Sequence, residues 1–301
     1  MARTLTPAAR IERSILTDLR KTLWKPFLAA IKQYELIQPG DRIAVCISGG
    51  KDSMLLAKLF QVLHRHTEIP FELEFIVMDP GYNPVNRQKI IDNAALMEIP
   101  IRIFDSDIFD AATNAERNPC YLCARMRRGF LYGRAQELGC NKIALGHHFN
   151  DVIETTLIGM FYGSQLQAML PKLHSRNFAG MELIRPMYLI HEDAIKEWCA
   201  MNGLTFIQCA CRFVEQRDHS SDGVGDSKRQ EIKVLLRRLR ETNPDVEKSI
   251  FNSLHTVTLD TFPGWKIHGE AYSYLTEYDR WPDTFAGMRK ASTEENRQDT
   301  P

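Results

Sequence analysis

An α/β fold, with a parallel twisted sheet that carries helices on both faces, is the fold class that the sequence predicts. Three observations predict it. Apolar runs of strand length alternate with helical patterns of ten or more residues from residue 42 onward. Turn signals such as Pro39-Gly40 and Pro80-Gly81 separate these runs. The chain of 301 residues, 44% apolar and 25% charged, has the composition of a globular protein with one large domain or two smaller ones.

The N-terminal segment is predicted to be helical over residues 9–33. Apolar residues such as Ile11, Ile15 and Leu19 recur there at three- and four-residue spacings. Pro26 is expected to break or kink this helix, because proline lacks the N–H group that a helix interior uses. The segment is therefore predicted to form two helical pieces ahead of the sheet.

Four predicted strands follow, each with a helix after it. The strands span residues 42–47, 71–79, 99–104 and 142–146. The helices span residues 53–66, 84–96 and 125–138, and another begins near Asn150. The remainder is more helical, with a strand-like stretch at 181–186 and helices near 191–202 and 227–239. In such a sheet, ligands bind at the carboxyl ends of the strands.

The composition argues against membrane and secreted proteins. No apolar stretch approaches the roughly 18 residues of a membrane span, and the N-terminal arginines are not followed by the apolar core of a secretory signal. A cytoplasmic location is therefore expected. Seven cysteines in a reducing compartment are thiols, metal ligands or catalysts and not a disulfide framework.

A glycine loop, residues 48–53, comes directly after the first predicted strand. Its sequence is Ser48-Gly49-Gly50-Lys51-Asp52-Ser53. Glycines let a backbone approach an anion closely, and the N-terminus of the following helix supplies free N–H groups beside the Lys51 ammonium. It is not a Walker A loop, because Asp52 follows the lysine and Val45 stands where the first glycine would be. The loop is interpreted as a phosphate cradle that is not of the Walker A type.

Polar residues also stand at two other predicted strand ends. Asp79 ends the second strand and is placed to accept hydrogen bonds from an adenine or a ribose. Gly146-His147-His148 follows the fourth strand, with Asp151 and Glu154-Thr155 within the next two turns. A carboxylate there can hold Mg²⁺ on a polyphosphate, and an imidazole can contact the phosphates. Taken alone, Asp79 is more often a helix cap and the histidine pair a structural feature, but together at strand ends they form a constellation with the glycine loop.

The cysteines suggest a second centre. Cys120 and Cys123 form a C-x-x-C pair, expected on a loop that enters an arginine-rich helix, and Cys209 and Cys211 follow some ninety residues later. Three interpretations stay open on these residues alone: a structural zinc site with all four sulfurs, a redox or persulfide pair, and an iron–sulfur cluster with one later cysteine as third ligand. The other cysteines with apolar neighbours are expected to be packing residues; they are Cys46, Cys140 and Cys199.

Two basic runs interrupt a chain whose formal net charge is zero. Residues 117–134 carry five arginines and no acid, and residues 228–240 carry six basic residues against one glutamate. A solvated helix face explains either run alone. Together they predict a polyanionic partner, with the binding residues expected to be Arg125, Arg127, Arg128, Arg237 and Arg238.

These motifs resemble those of one enzyme superfamily. The glycine loop resembles that of the PP-loop (N-type) ATP pyrophosphatases, and Gly146-His-His-x-x-Asp151 with Glu154-Thr155 is similar to the companion motif of their tRNA-modifying branch. The segment from Pro119 to Tyr132, which holds the C-x-x-C pair, resembles the tRNA 2-thiocytidine synthetase family. Further stretches with the same resemblance are 160–163, 170–172 and 184–186, and the whole resemblance runs from about residue 34 to residue 256.

The resemblance implies a reaction. In this family ATP is split between the α and β phosphates, an oxygen of tRNA is adenylylated, and sulfur displaces AMP. It implies cytidine thiolation at C2, at position 32 of the anticodon loop. Lys51 and Asp52, with Cys120 and Cys123, would be catalytic, and the glycine loop would bind pyrophosphate. Asp79, Gly146 and His147 would contact the adenosine part, while Asp52 and Asp151 would hold Mg²⁺.

The resemblance also implies a [4Fe–4S] cluster on Cys120, Cys123 and a third later cysteine. The family's later motif is a C-x-x-C, whereas this chain has the shorter Cys209-Ala210-Cys211, so Cys211 or Cys209 is expected as the third ligand. The partners that the resemblance implies are tRNA, a sulfur donor (a cysteine desulfurase or sulfide) and a second copy of the chain in a homodimer. No membrane partner is expected.

The predicted organisation has four parts. Residues 1–40 form a helical segment, and 41–190 form the PP-loop ATP-binding domain with the C-x-x-C insertion. Residues 191–275 form a helical region with the third cluster cysteine, and 276–301 form a polar tail whose last part is expected to be disordered.

Two other functions fit parts of the sequence. One is a PP-loop enzyme of different specificity, of the 2-thiouridine or lysidine type or acting on a small acceptor, with the four cysteines as a structural zinc site. The 2-thiouridine branch usually has extra terminal cysteine clusters, whereas here the first cysteine is Cys46 and the last is Cys211. The other is a non-catalytic nucleotide- or RNA-binding protein.

Overall fold

A six-stranded sheet organises most of the chain in the computed structural model, which describes residues 5–108, 119–207, 224–276 and 278. The strand order is β3-β2-β1-β4-β6-β5. The strands are β1 Arg42–Ile47, β2 Glu72–Asp79, β3 Ile101–Asp105, β4 Lys142–Ala144, β5 Lys172–His174 and β6 Glu182–Ile184. All neighbouring pairs are parallel except β5–β6, which is antiparallel. The predicted α/β class is confirmed, and the short antiparallel edge strand β5 was not predicted.

Helices lie before, between and after the strands of this sheet. Those in the described part of the chain are α1 Pro7–Arg13, α2 Lys25–Gln33, α3 Lys51–His66, α4 Pro84–Leu96, α5 Pro119–Glu137, α6 Phe149–Gly163, α7 Glu192–Met201, α8 Val224–Thr242 and α9 Val246–Ser253. The buried faces of α3 and β1 are almost entirely apolar, with Ile43, Val45, Leu55 and Leu59 fully buried. Strands with such continuous apolar runs are those of a parallel sheet covered on both faces.

Strand β1 marks the point where the strand order reverses. It pairs with β2 on one side, with Val45 opposite Phe75, and with β4 on the other, with Val45 opposite Ala144. In doubly wound sheets a crevice for ligands opens at such a switch point, outside the carboxyl ends of the strands. The residues after β1 and after β4 are therefore the ones the fold brings together.

The N-terminal segment contains two π-helical stretches between α1 and α2, at Ser14–Asp18 and Arg20–Trp24. Leu19 between them has φ −103° and ψ 21°, so the regular helix is interrupted there. Pro26 lies in the first turn of α2, where its missing N–H group costs little. A break near Pro26 was predicted, but the interruption at Leu19 was not, because Leu19 fits the apolar pattern and is buried.

Helix α5 begins earlier than predicted. It starts at Pro119, so Cys120 and Cys123 lie in its first turns and not on a loop that enters it. That expectation was wrong. Proline is favoured at the first helical position, because the N–H group it lacks has no partner there in any helix.

The chain divides into two compact units, Met1–Glu247 and Lys248–Pro301. The predicted boundaries at residues 40 and 190 both lie inside the first unit. The second unit contains an antiparallel hairpin, β7 Gly264–Ile267 and β8 Glu270–Ser273, on which the rings of Trp265 and Tyr272 stack with centroids 6.2 Å apart. The predicted tail falls almost wholly outside the described residues. Among the described residues, no helix is long and apolar enough to cross a membrane.

Candidate active site at the switch point

The glycine loop is held in shape by its own hydroxyl groups. The Ser53 Oγ accepts a hydrogen bond from the backbone N–H of Ser48 at 3.1 Å and donates to the carbonyl of Gly50 at 3.0 Å. The Ser48 hydroxyl donates to Ser53 Oγ at 3.2 Å. The Tyr82 hydroxyl donates to the Ser48 carbonyl at 3.2 Å, which ties the loop to the segment after β2. The loop is therefore preorganised, and its Lys51, Asp52 and Ser53 form the first turn of α3, whose free N–H groups thus belong to the loop.

Two glycines are required by close packing. Gly49 has φ +83°, and a Cβ there would lie 2.6 Å from Cγ1 of Ile90. A Cβ on Gly146 would lie 3.1 Å from the backbone carbon of Asp52 and 3.1 Å from the backbone nitrogen of Ser53. The segment after β4 thus touches the backbone of the glycine loop, and a side chain at Gly146 would require that backbone to shift by a few tenths of an ångström.

A cavity of about 270 Å³ opens where these two segments meet. It is lined by predicted site residues from both of them and by one predicted tRNA-binding arginine. These are Ser48, Asp52, Ser53, Gly146, His147, Asp151 and Arg127. Apolar residues such as Met78 and Leu145 complete the lining. The sequence placed Arg127 among the nucleic-acid contacts, whereas the structure also brings it to the cavity beside the glycine loop.

Charged groups around Lys51 form a compact cluster. Its Nζ lies 3.1 Å from Oδ1 of Asp52 and 3.2 Å from Oε1 of Glu192, the first residue of α7. Burial lowers the pKa of Lys51, but the two carboxylates more than offset this and leave the pKa raised. Lys51 is therefore fully charged at neutral pH, as a cradle for an anion requires.

The histidines after β4 have different environments. His148 caps α6, and its Nε2 lies 3.5 Å from Oδ2 of Asp151 and 3.8 Å from Oδ1 of Asp52. Burial, and then the positive charge of Arg185, lower the pKa of His147 to about 4. His147 is therefore neutral at physiological pH and can offer the cavity a hydrogen bond but no positive charge.

The Asp79 carboxylate forms hydrogen bonds within the turn that follows β2 and pairs with Arg87. Its Oδ1 accepts the backbone N–H groups of Gly81 at 2.9 Å and Tyr82 at 2.7 Å, and its Oδ2 lies 2.5 Å from Nη1 of Arg87. Arg87 also pairs with Asp105. Both Asp79 oxygens already have partners, so the adenosine contact predicted for it stays a prediction.

Helix α8 covers the acidic side of the site. Arg229 lies 3.3 Å from Glu154 and 3.8 Å from Asp151, and Lys233 lies 3.8 Å from both Glu154 and Glu192. Burial raises the pKa of Glu154 to about 7, although these two cations oppose the shift. The basic residues that the sequence grouped as one run thus divide: Arg229 and Lys233 face the site, whereas Arg237 and Arg238 are exposed.

A second cavity of about 410 Å³ lies beside this network. Glu154, Glu192, Lys233 and Asn150 line it, together with residues farther along α8. The Asn150 side chain accepts the backbone N–H of Glu192 at 2.9 Å and donates to Glu247 at 3.3 Å. Sequence reasoning missed Glu192 and Asn150, since nothing near Glu192 in sequence indicates that it meets Lys51.

Two of the three cysteines that were predicted to be buried packing residues are buried. Cys46 and Cys140 are buried free thiols, and burial raises the pKa of Cys140 to about 11. Cys199 is only half-buried. Arg125 and Arg128 lie in α5 with Cys120 and Cys123, and both arginines are exposed. Cys209 and Cys211 lie outside the described residues, so the cluster ligands stay predictions. Among the described side chains, no group of three or more His, Cys, Asp or Glu is arranged to hold a metal ion.

Comparison with known proteins agrees with this geometry. A family model described as a PP-loop domain matches residues 21–211. The U34-tRNA thiolase NcsA from Methanococcus maripaludis, solved with its [4Fe–4S] cluster, shares the fold with a TM-score of 0.60 at 20% identity, over 83% of each chain. The glycine loop at the switch point and the family match define the class: the chain carries a PP-loop domain.

Closer relatives define the family within that class. The tRNA-cytidine(32) 2-sulfurtransferase of Alkalilimnicola ehrlichii is 35% identical over 86% of this chain and 79% of its own length. That of Syntrophotalea carbinolica is 38% identical over 82% of this chain and 92% of its own length. The chain belongs to the tRNA-cytidine(32) 2-sulfurtransferase family.

Proposed function

We propose that this chain catalyses the ATP-dependent thiolation of tRNA, in which the C2 oxygen of cytidine 32 is replaced by sulfur. The observation that carries the proposal is the cavity at the β1–β4 switch point, where the glycine loop, Gly146 and Asp151 meet. Family membership supplies the reaction and the cavity supplies residues suited to its first step.

The first step is attack of the cytidine oxygen on the α-phosphorus of ATP, which releases pyrophosphate and leaves an adenylylated base. Lys51 and the N–H groups at the start of α3 would bind the departing pyrophosphate, because fixed positive charge stabilises negative charge that develops on a leaving group. Arg127 lines the cavity beside the glycine loop and adds a cation there. In the second step sulfur bonds to C2 and AMP leaves.

We propose Asp52 and Asp151 as ligands for Mg²⁺. Both carboxylates line the cavity, and Oδ1 of Asp52 is buried and pairs with the Lys51 ammonium at 3.1 Å without a well-directed hydrogen bond. Mg²⁺ is usually bound by one or two carboxylates, with phosphate oxygens and water completing its shell. The two aspartates fit that requirement, since ATP would supply the other oxygens.

We propose Cys120, Cys123 and either Cys211 or Cys209 as the ligands of a [4Fe–4S] cluster. Two of the remaining cysteines, Cys46 and Cys140, are poor candidates for cluster ligands. Burial holds the pKa of both thiols far above neutrality and keeps them protonated, whereas a ligand must be a thiolate. A cluster held by three cysteines would leave one iron without a protein ligand, and that iron would be able to bind sulfide. A sulfide ion or a cysteine desulfurase is the proposed donor, and a homodimer the proposed assembly.

The decisive experiment is an assay of AMP and 2-thiocytidine with anaerobic protein, unmodified tRNA, ATP and sulfide. Both products are expected, each in amounts that depend on tRNA. Lys51→Met is expected to abolish both products, whereas Lys32→Met, an exposed lysine on α2, is the matched control. Formation of ADP in place of AMP would exclude the proposed chemistry.

Metal analysis separates the alternative with a structural zinc site. About four irons and four sulfides per chain would support the proposal. One zinc with no sulfide, and full activity in air, would instead favour a PP-loop enzyme of other specificity.

A further inference from the structure

Glu192 occupies an unusual position between the glycine loop and helix α8. Its carboxylate lies near three lysines from three helices: Lys51 of α3 at 3.2 Å, Lys196 of its own helix at 2.9 Å, and Lys233 of α8 at 3.8 Å. Its side chain is only 15% exposed. A buried carboxylate with this many cationic partners is fixed in one place, because each partner satisfies part of the cost of its burial.

The electrostatics agree with this placement. Burial alone would raise the pKa of Glu192, but Lys196, Lys51 and Lys233 together lower it to about 2. Glu192 is therefore ionised throughout the physiological range. Its backbone is also held, because its N–H donates to Asn150 Oδ1 at 2.9 Å.

Lys51 has two carboxylate partners that differ in their place in the chain. Asp52 is its neighbour and moves with the glycine loop, whereas Glu192 belongs to α7 and holds the ammonium from outside the loop. A lysine side chain is flexible and loses considerable rotamer entropy when it is fixed. The contact with Glu192 therefore restricts where the Lys51 ammonium can point before an anion enters the cradle.

We propose that Glu192 is a positioning residue for ATP cleavage, which orients the Lys51 ammonium toward the departing pyrophosphate and competes with pyrophosphate for it. This inference rests on the proposed function for its catalytic consequence. It makes two predictions of opposite sign. Removing the carboxylate charge is expected to slow cleavage, because Lys51 is no longer oriented, and to tighten pyrophosphate binding, because a competing anion is gone.

The test is Glu192→Gln, which keeps the shape of the side chain. The kcat for AMP formation is expected to fall roughly 10- to 100-fold, the cost typical of a misplaced catalytic group, while KM for ATP changes by less than about threefold. Pyrophosphate affinity, measured by calorimetry, is expected to rise by roughly three- to tenfold, the size of effect that loss of a nearby like charge produces. A merely structural role would weaken both cleavage and binding.

Two control experiments test whether Glu192 acts through Lys51. Glu197→Gln removes an exposed carboxylate from the same helix by the same substitution, and it is expected to retain near-normal kcat. In a Lys51→Met background, Glu192→Gln is expected to leave pyrophosphate affinity unchanged, because the two residues act as one unit.

Additive effects of the two substitutions, or a Glu192→Gln variant with normal kcat and normal pyrophosphate affinity, would overturn the proposal. The two levels of failure are distinguishable. A native enzyme that forms no AMP with tRNA would refute the proposed function, and the calorimetric cycle would still decide whether Glu192 acts through Lys51.

Discussion

Gly146 shows how one missing side chain shapes the site. The backbones of the glycine loop and of the segment after β4 approach so closely that a Cβ on Gly146 would press on Asp52 and Ser53 at 3.1 Å. Neither neighbouring atom belongs to a flexible side chain, so the loop itself would have to move. This glycine therefore sets the distance between the glycine loop and the segment after β4, independently of any contact that it makes with a nucleotide.

We expect Gly146→Ala to raise KM for ATP by about tenfold or more, because a displaced loop no longer presents its N–H groups correctly. Steady-state assays of AMP formation measure this. Gly133→Ala is the matched control, since a Cβ there meets nothing within 4 Å and alanine favours the helix. Equal effects from both substitutions would contradict the packing argument.

Glu154 makes stability depend on pH. Its folded pKa, raised by burial to about 7, lies above the usual 4.5, so the folded state binds more protons than the unfolded state between these values. Its contribution to stability is therefore present at low pH and is lost as the pH rises toward and through 7.

We expect Glu154→Gln, which resembles the protonated form, to gain stability over the native protein as the pH rises from 5 to 8. The gain is on the order of 1–2 kcal/mol in the free energy of unfolding, measured by urea denaturation. Glu197→Gln, an exposed glutamate on α7, should show no such pH dependence. A constant difference across this pH range would mean that Glu154 is ionised normally.

At the scale of the element, helix α8 supplies basic residues both to the ion pairs of the site and to the exposed surface of the protein. Ile232 and Leu236 are buried, and α8 packs against α6 with Arg229 and Lys233 paired to acids of the site. Arg237 and Arg238 are both exposed, and Arg237 lies one helical turn beyond Lys233, where it lines the second cavity. Contacts of exposed arginines within a protein are weak, so we expect both side chains to be available for phosphates.

We expect a double variant, Arg237→Ala with Arg238→Ala, to weaken tRNA binding and to flatten its salt dependence. Loss of two phosphate contacts should reduce the slope of log affinity against log salt by roughly 1.5 to 2. Filter binding over a salt series measures this. Arg20→Ala with Lys21→Ala, an exposed basic pair in the N-terminal segment, provides the charge-matched control. Identical slopes for both variants would show that α8 has no special role.

Local sequence patterns predicted much of the fold, but they did not predict the contacts between residues that are far apart in the sequence. The strands at β1 and β2, the glycine loop and α4 could be predicted because their apolar runs and turn residues agree. The start of α5 could not, because arginines and cysteines around Pro119 give no apolar period. Strand β5 was missed because it is only three residues long, at an exposed edge.

The site divides in the same way. The glycine loop and the Gly146 segment are visible in the sequence because each is a compact motif after a strand. Glu192 lies about 140 residues beyond Lys51, and only the packing of α7 beside α3 brings the two together. A residue that acts through ion pairs across the fold leaves no local signal in a single sequence.

At the scale of the whole molecule, helix α5 connects the proposed cluster site with the core of the sheet. Cys120 and Cys123 lie in the first turns of α5, whereas Tyr132 and Ala135, farther along that helix, pack against the sheet. The ATP cavity is built at the β1–β4 switch point. Cluster loss is therefore expected to be separable from loss of fold.

We expect Cys120→Ala, purified without oxygen, to lack iron and thiolation activity while it still binds an uncleavable ATP analogue with near-native affinity. Its melting temperature should change by no more than about 4 °C, the shift that a destabilisation of about 1 kcal/mol causes in a protein of this size. Iron analysis, calorimetry and thermal unfolding measure the three quantities. Cys140→Ala, at a buried thiol of the core, is the control that should retain its iron. Loss of ATP binding together with iron would contradict this separation.

The central place of β1 also affects how the chain folds during its synthesis. Its first edge pairs with β2, which ends at residue 79, but its second edge pairs with β4, which begins at residue 142. At about 5–20 residues per second, the ribosome needs roughly 3–13 s to make the residues between these two strands. Through that interval the edge of β1 is open to pairing with other chains. The nascent protein therefore passes through a stage in which one hydrogen-bonding edge of its central strand has no partner, and chaperones that cover apolar strands would act there.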